Sequence, residues 1–280
     1  MSDQEPTPQV KETPPGVTLL NRREFMTLLL GGGATMVLAA TLANPLDTFA
    51  RQILDNPARE AHDGDPNYKW IMIIDLSKCI GCDYCVWACQ ATNDTTDAMR
   101  WNIRVEDQTQ LGVKFHLTRP CLHCAHAPCV EVCPVGATYH RRDGLVVMDY
   151  DKCIGCRYCQ TACPYNARAF NWSERTDVNP RAPEWGTPEV ERRPRGVPEK
   201  CTFCIHRIDA GLAAGLMPGV DEQATPACVN VCPVNARFFG NVNDPNSTVA
   251  RILRTKPTLR LREDLGTEPS VYYIPPEGLL

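Results

Sequence analysis

Sixteen cysteines in four groups of four constrain this chain of 280 residues more than any other feature of its sequence. In the first and third groups they follow the spacing C-x2-C-x2-C-x3-C. The other two groups differ in the gap between their second and third cysteines. This gap is residues 125–128 in the second group and residues 205–227 in the fourth, and both groups end in Cys-Pro. The groups are Cys79, Cys82, Cys85 and Cys89; Cys121, Cys124, Cys129 and Cys133; Cys153, Cys156, Cys159 and Cys163; and Cys201, Cys204, Cys228 and Cys232. Because no cysteine is left over, the pattern predicts one kind of site repeated four times.

The spacing in the first and third groups is typical of bacterial [4Fe-4S] proteins. Three thiolates on one tight loop bind three irons of one cubane, while the fourth points away and binds a neighbouring cluster. Gly81 and Gly155 agree with this geometry, because a chain that wraps closely around a cluster needs residues without a Cβ atom. Pro134, Pro164 and Pro233 follow the last cysteines of three groups and are expected to end the preceding helices. The sequence therefore predicts four [4Fe-4S] clusters with all sixteen cysteines as iron ligands.

The sequence is also compatible with two other uses of the cysteines. An exported protein with an even number of cysteines can be a disulfide scaffold, although such scaffolds scatter their cysteines along the chain. Structural zinc could be bound by the fourth group alone, because four cysteines suffice for a tetrahedral site. His123 and His126 lie inside the second group and could replace a cysteine as iron ligands. All four cysteines of that group are present, which favours roles around the cluster for both histidines.

An internal repeat extends beyond the cysteines. Residues 74–81 (IDLSKCIG) are echoed by residues 148–155 (MDYDKCIG), and each segment follows a β-prone apolar run. Residues 127–137 (APCVEVCPVGA) are echoed by residues 226–236 (PACVNVCPVNA). The predicted fold is α+β, with two bacterial-ferredoxin-like halves that are interleaved in sequence and consist of short strands, short helices and long loops.

The predicted boundaries follow from this repeat. Residues 68–240 form the four-cluster domain, in which the first and fourth groups make one half and the second and third make the other. Residues 171–200 are rich in proline and in charges of both signs, which indicates a surface loop. Residues 241–280 are expected to form a C-terminal tail with a short helix and two extended pieces, packed on the core.

The N-terminal sequence predicts that the protein is exported. Residues 1–20 contain four scattered prolines and no amphipathic period, which indicates a disordered leader. Residues 21–50 have the layout of a twin-arginine signal: Arg22 and Arg23 precede a stretch from Phe25 to Ala43 without charged residues. The expected location is the periplasm or the outer face of the cytoplasmic membrane, reached in the folded state. The alternatives are a chance arginine pair before a membrane helix, and retention of the signal as an anchor.

Composition and the absence of other motifs reduce the number of functions that the sequence allows. The formal net charge of −4 leaves no basic excess for binding phosphates, so nucleic acid is not an expected partner. No catalytic triad, carboxylate pair, phosphate-binding glycine loop or dinucleotide fingerprint accompanies the cysteines. With every cysteine used as a ligand, no iron is left open to a substrate. The prediction is a non-catalytic electron-transfer protein, and a stand-alone reductase is the competing hypothesis.

Residues 68–275 and all sixteen cysteines resemble the four-cluster iron-sulfur subunits of the dimethyl sulfoxide reductase B type, which include subunits of tetrathionate, polysulfide, nitrite and formate systems. The resemblance implies how the ligands are shared. It implies a first cluster on Cys79, Cys82, Cys85 and Cys232; a second on Cys89, Cys201, Cys204 and Cys228; a third on Cys121, Cys124, Cys129 and Cys163; and a fourth on Cys133, Cys153, Cys156 and Cys159. Some family members lack the cysteine at the position of Cys129 and hold a three-iron cluster there, so Cys129 favours four cubanes.

The resemblance also implies partners. These are an integral membrane quinone-interacting subunit of the NrfD type and a further cytochrome, iron-sulfur or molybdopterin subunit, so that the membrane is reached through partners. Within the family, the twin-arginine leader, KCTFCIHRIDAGL, TPACVNVCPVNARFFG and LGTEPSVYYIPPE are most similar to O subunits of DsrMKJOP complexes of dissimilatory sulfur metabolism. The alternative is the beta subunit of a tetrathionate-, polysulfide- or nitrite-type reductase.

Overall fold

Short strands and short helices are mixed along residues 63–279, which are the residues that the computed structural model describes. The strands are β1 (Trp70–Asp75), β2 (Ile103–Gln108), β3 (Lys114–Arg119), β4 (Thr138–His140), β5 (Val146–Met148), β6 (Ala169–Phe170), β7 (Pro198–Glu199), β8 (Arg237–Asn241) and β9 (Val271–Ile274). The helices are α1 (Tyr84–Thr92), α2 (Pro128–Glu131), α3 (Tyr158–Ala162), α4 (Ile205–Ala213), α5 (Ala227–Asn230) and α6 (Thr248–Thr255). The predicted leader at residues 1–20 and the predicted export signal at residues 21–50 lie outside these residues.

The largest sheet has three strands in the order β8-β1-β9, with β1 antiparallel to β8 and parallel to β9. Every residue of β1 is buried, as expected for an apolar run that is covered on both faces. Ile71 and Ile73 pack with Val249 of α6, whereas Met72 and Ile74 face the core that contains the cysteine loops. Because side chains alternate along β1, one face of the sheet packs against the core that contains the cysteine loops.

Residues 241–280, predicted as a tail packed on the core, also contribute a strand to the central sheet. Strand β9 pairs with β1 and is an integral part of the central sheet. Helix α6 begins after Ser247, whose Oγ accepts a hydrogen bond of 3.2 Å from the N–H of Ala250. Of the two predicted extended pieces, residues 270–274 contain β9, whereas residues 258–262 contribute only a bridge between Leu259 and Tyr273. Sequence reasoning missed the sheet pairing because a strand of four residues has little pattern of its own.

The helices of the cysteine groups pack in two pairs. Helix α1, from the first group, contacts α5 from the fourth, and α2, from the second group, contacts α3 from the third. The described residues also contain three two-stranded sheets: β2 with β3, β4 with β5, and β6 with β7. The last of them includes residues 198–199, so the segment predicted as a loop at 171–200 ends in a short strand.

The segment at 171–200 is tied to the end of α1 by a buried carboxylate. Arg192 Nε donates to Asp94 Oδ2 at 2.9 Å, and Asn179 Nδ2 donates to Asp94 Oδ1 at 3.1 Å. The backbone carbonyl of Asp94 accepts further bonds of 3.0 Å from Arg175 and Arg193. Burial works to raise the pKa of Asp94, but these cations and hydrogen bonds outweigh burial and lower it. The segment is therefore held in place although it has little regular secondary structure.

Candidate iron-sulfur cluster sites

The cysteine loops repeat in backbone conformation as well as in sequence. Gly81 and Gly155 have the same φ of 70°, and Asp83 and Arg157, which precede α1 and α3, have the same φ of 64°. A Cβ atom on Gly155 would lie 2.2 Å from the carbonyl oxygen of Gly196. These left-handed residues turn the chain sharply around the space that the thiols face.

A second repeated turn follows the cysteines of the three Cys-Pro dipeptides. Gly136, Asn166 and Asn235, each three positions after its cysteine, have positive φ angles of 64°, 49° and 48°. Their N–H groups donate to the carbonyls of the cysteines at 3.2 to 3.4 Å. Gly and Asn tolerate the left-handed conformation best, which explains their presence in a turn that the proline begins.

Three sets of four cysteines each line one cavity. We define site 1 as Cys79, Cys82, Cys85 and Cys232, which line one shared cavity. We define site 3 as Cys121, Cys124, Cys129 and Cys163, which line a second. We define site 4 as Cys133, Cys153, Cys156 and Cys159, which line a third. In each case three thiols come from one cysteine group and the fourth comes from another.

A fourth set, site 2, consists of Cys89, Cys201, Cys204 and Cys228, all of which are buried. Burial raises the pKa of Cys89 well above its usual value, and the thiols of the other three cysteines raise it further. Asn93 Nδ2 lies 3.7 Å from Cys89 Sγ and 3.6 Å from Cys204 Sγ, so one buried amide donates towards two thiols of the set. Sequence reasoning missed Asn93, because an asparagine after a helix is an ordinary capping residue.

The two alternative uses of the cysteines disagree with this arrangement. All sixteen cysteines, which lie within the described residues, are free of disulfide bonds. The fourth group is divided between two sites, because Cys232 lines site 1 while its other three members belong to site 2. Among residues 63–279 no three His, Cys, Asp or Glu side chains converge on the position of a single metal ion. The thiols of sites 1, 3 and 4 instead line shared cavities in sets of four.

Backbone N–H groups donate to several cysteine sulfurs. Ala236 donates to Cys232 Sγ at 3.3 Å, and Ala167 donates to Cys163 Sγ at 3.5 Å. Related bonds run from Thr138 to Cys133 at 3.4 Å and from Phe203 to Cys201 at 3.4 Å. Such bonds stabilise negative charge on sulfur and adjust the reduction potential of a bound cluster.

The donor sets fit [4Fe-4S] clusters. Burial raises the pKa of the Cys124 thiol to about 12, and that of Cys228 to about 11. Four buried thiols that repel one another as thiolates need a cation among them before they ionise. Irons bound by four thiolates would supply that charge, and the N–H···S bonds are of the kind that adjusts the potential of a bound cluster.

Comparison with known proteins agrees with this interpretation. Two family models, each described as a 4Fe-4S dicluster domain, match residues 113–178 and residues 78–137 with 152–236. The putative iron-sulfur B subunit of a dimethyl sulfoxide reductase from Halobacterium salinarum is 43% identical, over 72% of this chain and 78% of that protein. This chain belongs to the iron-sulfur B subunits of the dimethyl sulfoxide reductase type. Its two dicluster domains and sixteen cysteines fit four [4Fe-4S] clusters.

Two further relatives in this family match over most of the chain. An Hdr-like menaquinol oxidoreductase iron-sulfur subunit 1 from Archaeoglobus fulgidus is 36% identical, over 91% of this chain and 98% of that protein. The B subunit of tetrathionate reductase from Salmonella typhimurium is 34% identical, over 91% of this chain and 88% of that protein. The similarity therefore extends beyond the cysteine groups into the remainder of the chain.

The four sites of this iron-sulfur subunit follow one another in a row. Arg237 faces both Cys85 of site 1 and Cys228 of site 2. Burial, followed by the thiols of Cys228 and Cys121, raises the pKa of Cys201, which makes site 3 the neighbour of site 2. Burial and the thiols of Cys129 and Cys133 likewise raise the pKa of Cys159, so site 4 adjoins site 3. Only sites 1, 3 and 4 contain a cysteine that is not fully buried.

His123 has a structural role, while His126 lies at the surface. The His123 ring is completely buried and packs against Phe203 with the ring centroids 4.0 Å apart and the planes tilted by 30°. Its Nδ1 accepts a bond of 3.1 Å from the N–H of Val146, so Nε2 carries the proton and donates to the carbonyl of Cys201 at 3.1 Å. Burial lowers the pKa of His123 well below its usual value. The ring is thus a neutral link between the second and fourth cysteine groups. The His126 side chain is 72% exposed.

None of the helices within residues 63–279 combines the length and the apolar character needed to cross a membrane.

Proposed function

We propose that this protein is an exported iron-sulfur electron-transfer subunit that relays single electrons through four [4Fe-4S] clusters and has no catalytic activity of its own. The observation that carries the proposal is the row of four four-thiol sites, in which site 2 is formed entirely by buried cysteines. When bound, each cluster would accept and release one electron at a time. Each of its irons would have one cysteine thiolate as its protein ligand, so that no iron is open to a substrate. We assign the cysteines of sites 1 to 4 as the ligands of the four clusters, in the order in which the family resemblance implies them.

The ends of the row are the places at which electrons enter and leave in this proposal. Cys156 of site 4 is exposed, and its neighbours Ile154 and Tyr158 are 64% and 62% exposed. Beside site 1, Ile80 is 60% exposed. Apolar side chains exposed next to a cluster exclude water when a partner covers them, which shortens the distance to the partner's redox centre.

We propose that one partner is an integral membrane quinone-interacting subunit of the NrfD type and that the complex serves dissimilatory sulfur metabolism, as O subunits of DsrMKJOP complexes do. The name of the Archaeoglobus relative includes a menaquinol oxidoreductase, which supports a quinone partner. The second candidate is the beta subunit of a reductase with a molybdopterin or cytochrome catalytic partner. The Salmonella relative, which is named as part of a tetrathionate reductase, supports that candidate.

The location in the proposal is the periplasm or the outer face of the cytoplasmic membrane. It is supported by Arg22 and Arg23 before an uncharged stretch, which is the layout of a twin-arginine signal. We expect the double variant Arg22→Lys with Arg23→Lys to remain in the cytoplasm with its clusters, because the twin-arginine route reads both arginines. Fractionation of cells that express the variant and the unchanged protein measures this, and equal export of the two would contradict the proposal.

The experiment that tests the function is an inventory of iron and acid-labile sulfide in anaerobically purified protein, together with low-temperature EPR before and after reduction. About 16 irons and 16 sulfides per chain, with interacting cubane signals on reduction, are expected for four clusters. Zinc, or thiols oxidised in pairs, would contradict the proposal. Turnover of tetrathionate, polysulfide or nitrite by the purified chain alone would contradict the non-catalytic role.

Cys129→Trp tests the assignment of site 3. Cys129 is 8% exposed and lies at the start of α2, so removal of its thiol leaves one iron of site 3 without a protein ligand. We expect a three-iron cluster at this site, seen as about one iron fewer per chain and a new EPR signal in the oxidised protein. Cys129→Ala removes the thiol without added bulk and serves as the control for steric effects. An unchanged cluster inventory in both variants would contradict the assignment.

A further inference from the structure

Two arginines occupy the same position in the internal repeat. Arg168 is the fifth residue after Cys163, and Arg237 is the fifth residue after Cys232. Both follow an alanine whose N–H donates to the sulfur of that cysteine. Both are only 4% exposed. The repeat therefore brings one long cationic side chain into the interior of each half.

Each arginine lies between two cluster sites. Arg237 lines the cavity of site 1 together with Cys85, and it also faces Cys228 of site 2. Arg168 lines the cavity of site 3 together with Cys121 and Cys129, and it also faces Cys159 of site 4. Arg237 thus belongs to the junction between sites 1 and 2, and Arg168 belongs to the junction between sites 3 and 4.

The remaining contacts hold the two guanidinium groups in place without neutralising them. Arg237 Nη2 donates to Asn102 Oδ1 at 3.2 Å and to Thr118 Oγ1 at 3.0 Å. Arg168 Nη1 donates to the sulfur of Met148 at 2.8 Å, and a thioether is a weak acceptor. Arg168 Nη2 is buried and has no oxygen or nitrogen acceptor among the described residues, while the Arg168 side chain approaches the thiol of Cys129. An anionic group in site 3 or site 4 would supply the missing acceptor.

Other buried arginines of this protein have carboxylate partners. Arg141 pairs with Asp143 at 2.8 Å, and Arg193 pairs with Glu199 at 2.9 Å. Within residues 63–279, Arg168 and Arg237 form no ion pair with a carboxylate. The acidic groups that face them include cysteine thiols and the phenols of Tyr150, at Arg168, and Tyr273, at Arg237. Because burial of an uncompensated cation is costly, the compensating negative charge has to come from the clusters and their thiolates.

We propose that Arg168 and Arg237 set the reduction potentials of the relay, each raising the potentials of the two clusters between which it lies. The inference rests on the ligand sets assigned to sites 1 to 4. Addition of an electron makes a cluster more negative, so a fixed cation nearby stabilises the reduced form more than the oxidised form. Arginine keeps its charge at every pH at which proteins fold, so the effect is independent of pH.

The sharing of one cation by two clusters follows from the repeat. The fifth position after the last cysteine of the first and second groups holds Asp94 and Thr138 instead of arginine. Asp94 is engaged by Arg192 in the segment at 171–200, and Thr138 lies in strand β4. At this position of the repeat each half therefore has one arginine for two clusters, which links the potentials of neighbouring clusters in pairs.

The test compares Arg237→Gln and Arg168→Gln with Arg237→Lys and Arg168→Lys in the full-length protein. Iron and acid-labile sulfide are measured first in the unchanged protein, where they report on the ligand sets independently of the arginines, and then in each variant. Redox titrations followed by low-temperature EPR then give the potential of each cluster. We expect each glutamine variant to lower the reduction equilibrium constants of its two adjacent clusters about tenfold, a shift of ~59 mV for a one-electron couple. The lysine variants should stay close to the unchanged protein.

The outcomes separate the possible roles of the arginines. A shift in sites 1 and 2 for Arg237→Gln, and in sites 3 and 4 for Arg168→Gln, supports the proposal. Loss of iron in a glutamine variant that the matching lysine variant restores would overturn it, because the charge would then serve assembly of the cluster and not its potential. Unchanged potentials with full iron content would overturn the proposal. Equal loss of iron in the lysine and glutamine variants would also overturn it, because the role would then be one of packing alone.

Discussion

Replacement of Cys228 and of Cys232 by alanine is expected to disrupt two different clusters, although both cysteines belong to one group of the sequence. The structure places Cys228 with the buried thiols of site 2 and Cys232 with the thiols that line site 1. We expect each single variant to lose at least the iron whose thiolate is removed, and about a quarter of the iron and sulfide where the whole cluster is lost; the double variant should lose the sum of the two losses. The measurement is iron and sulfide per chain, with EPR to identify which cluster has changed.

The two variants should also differ in their effect on electron transfer. Site 2 lies between sites 1 and 3, so Cys228→Ala interrupts the row, whereas Cys232→Ala removes its end. Asn230→Ala is the matched control, because Asn230 is exposed and lies in the same helix, α5. A double variant that loses no more metal than either single variant would mean that Cys228 and Cys232 share one site. That result would contradict the ligand sets.

Gly155→Ala is expected to abolish the cluster at site 4 and to destabilise the protein. The φ of Gly155 is +70°, which costs an alanine about 1–2 kcal/mol, and the added Cβ would lie 2.2 Å from the backbone oxygen of Gly196. Because backbone cannot rotate away as a side chain can, we expect a total loss of about 3 kcal/mol or more. Thermal unfolding and the iron content of the purified variant measure the effect.

Two other glycines separate the causes of this loss. Gly81→Ala has the same φ of +70°, but its Cβ would meet the ring of His116 at 2.6 Å, and a side chain can move. Gly112→Ala has a φ of +77° with no atom within 4 Å of the new Cβ, so it reports the cost of φ alone. The expected order of destabilisation is Gly155→Ala, then Gly81→Ala, then Gly112→Ala. A Gly155→Ala variant as stable as Gly112→Ala, with four clusters, would contradict this account of the loop.

The sequence predicted the chemistry of the sites better than it predicted their surroundings. The local spacing of Cys153, Cys156 and Cys159 indicates that their three thiols bind one cluster, because a loop this short allows few other arrangements of the side chains. Position in the chain carries no such information for Asn93, which approaches Cys204 only after the chain has folded. Arg168 and Arg237 could have been found from their shared position in the repeat, but their location between two sites could not.

The sequence alone determined the number and type of cofactors, the repeat and the α+β character, because these depend on the spacing of nearby residues. Only the tertiary structure decided that Val271–Ile274 joins the central sheet beside β1. It also decided that Cys232 lines the cavity of Cys79, far from it in sequence, and that two buried arginines lie without carboxylate partners among the described residues. These features arise from contacts between distant segments, whose pairing is selected by the packing of the whole core and not by local pattern.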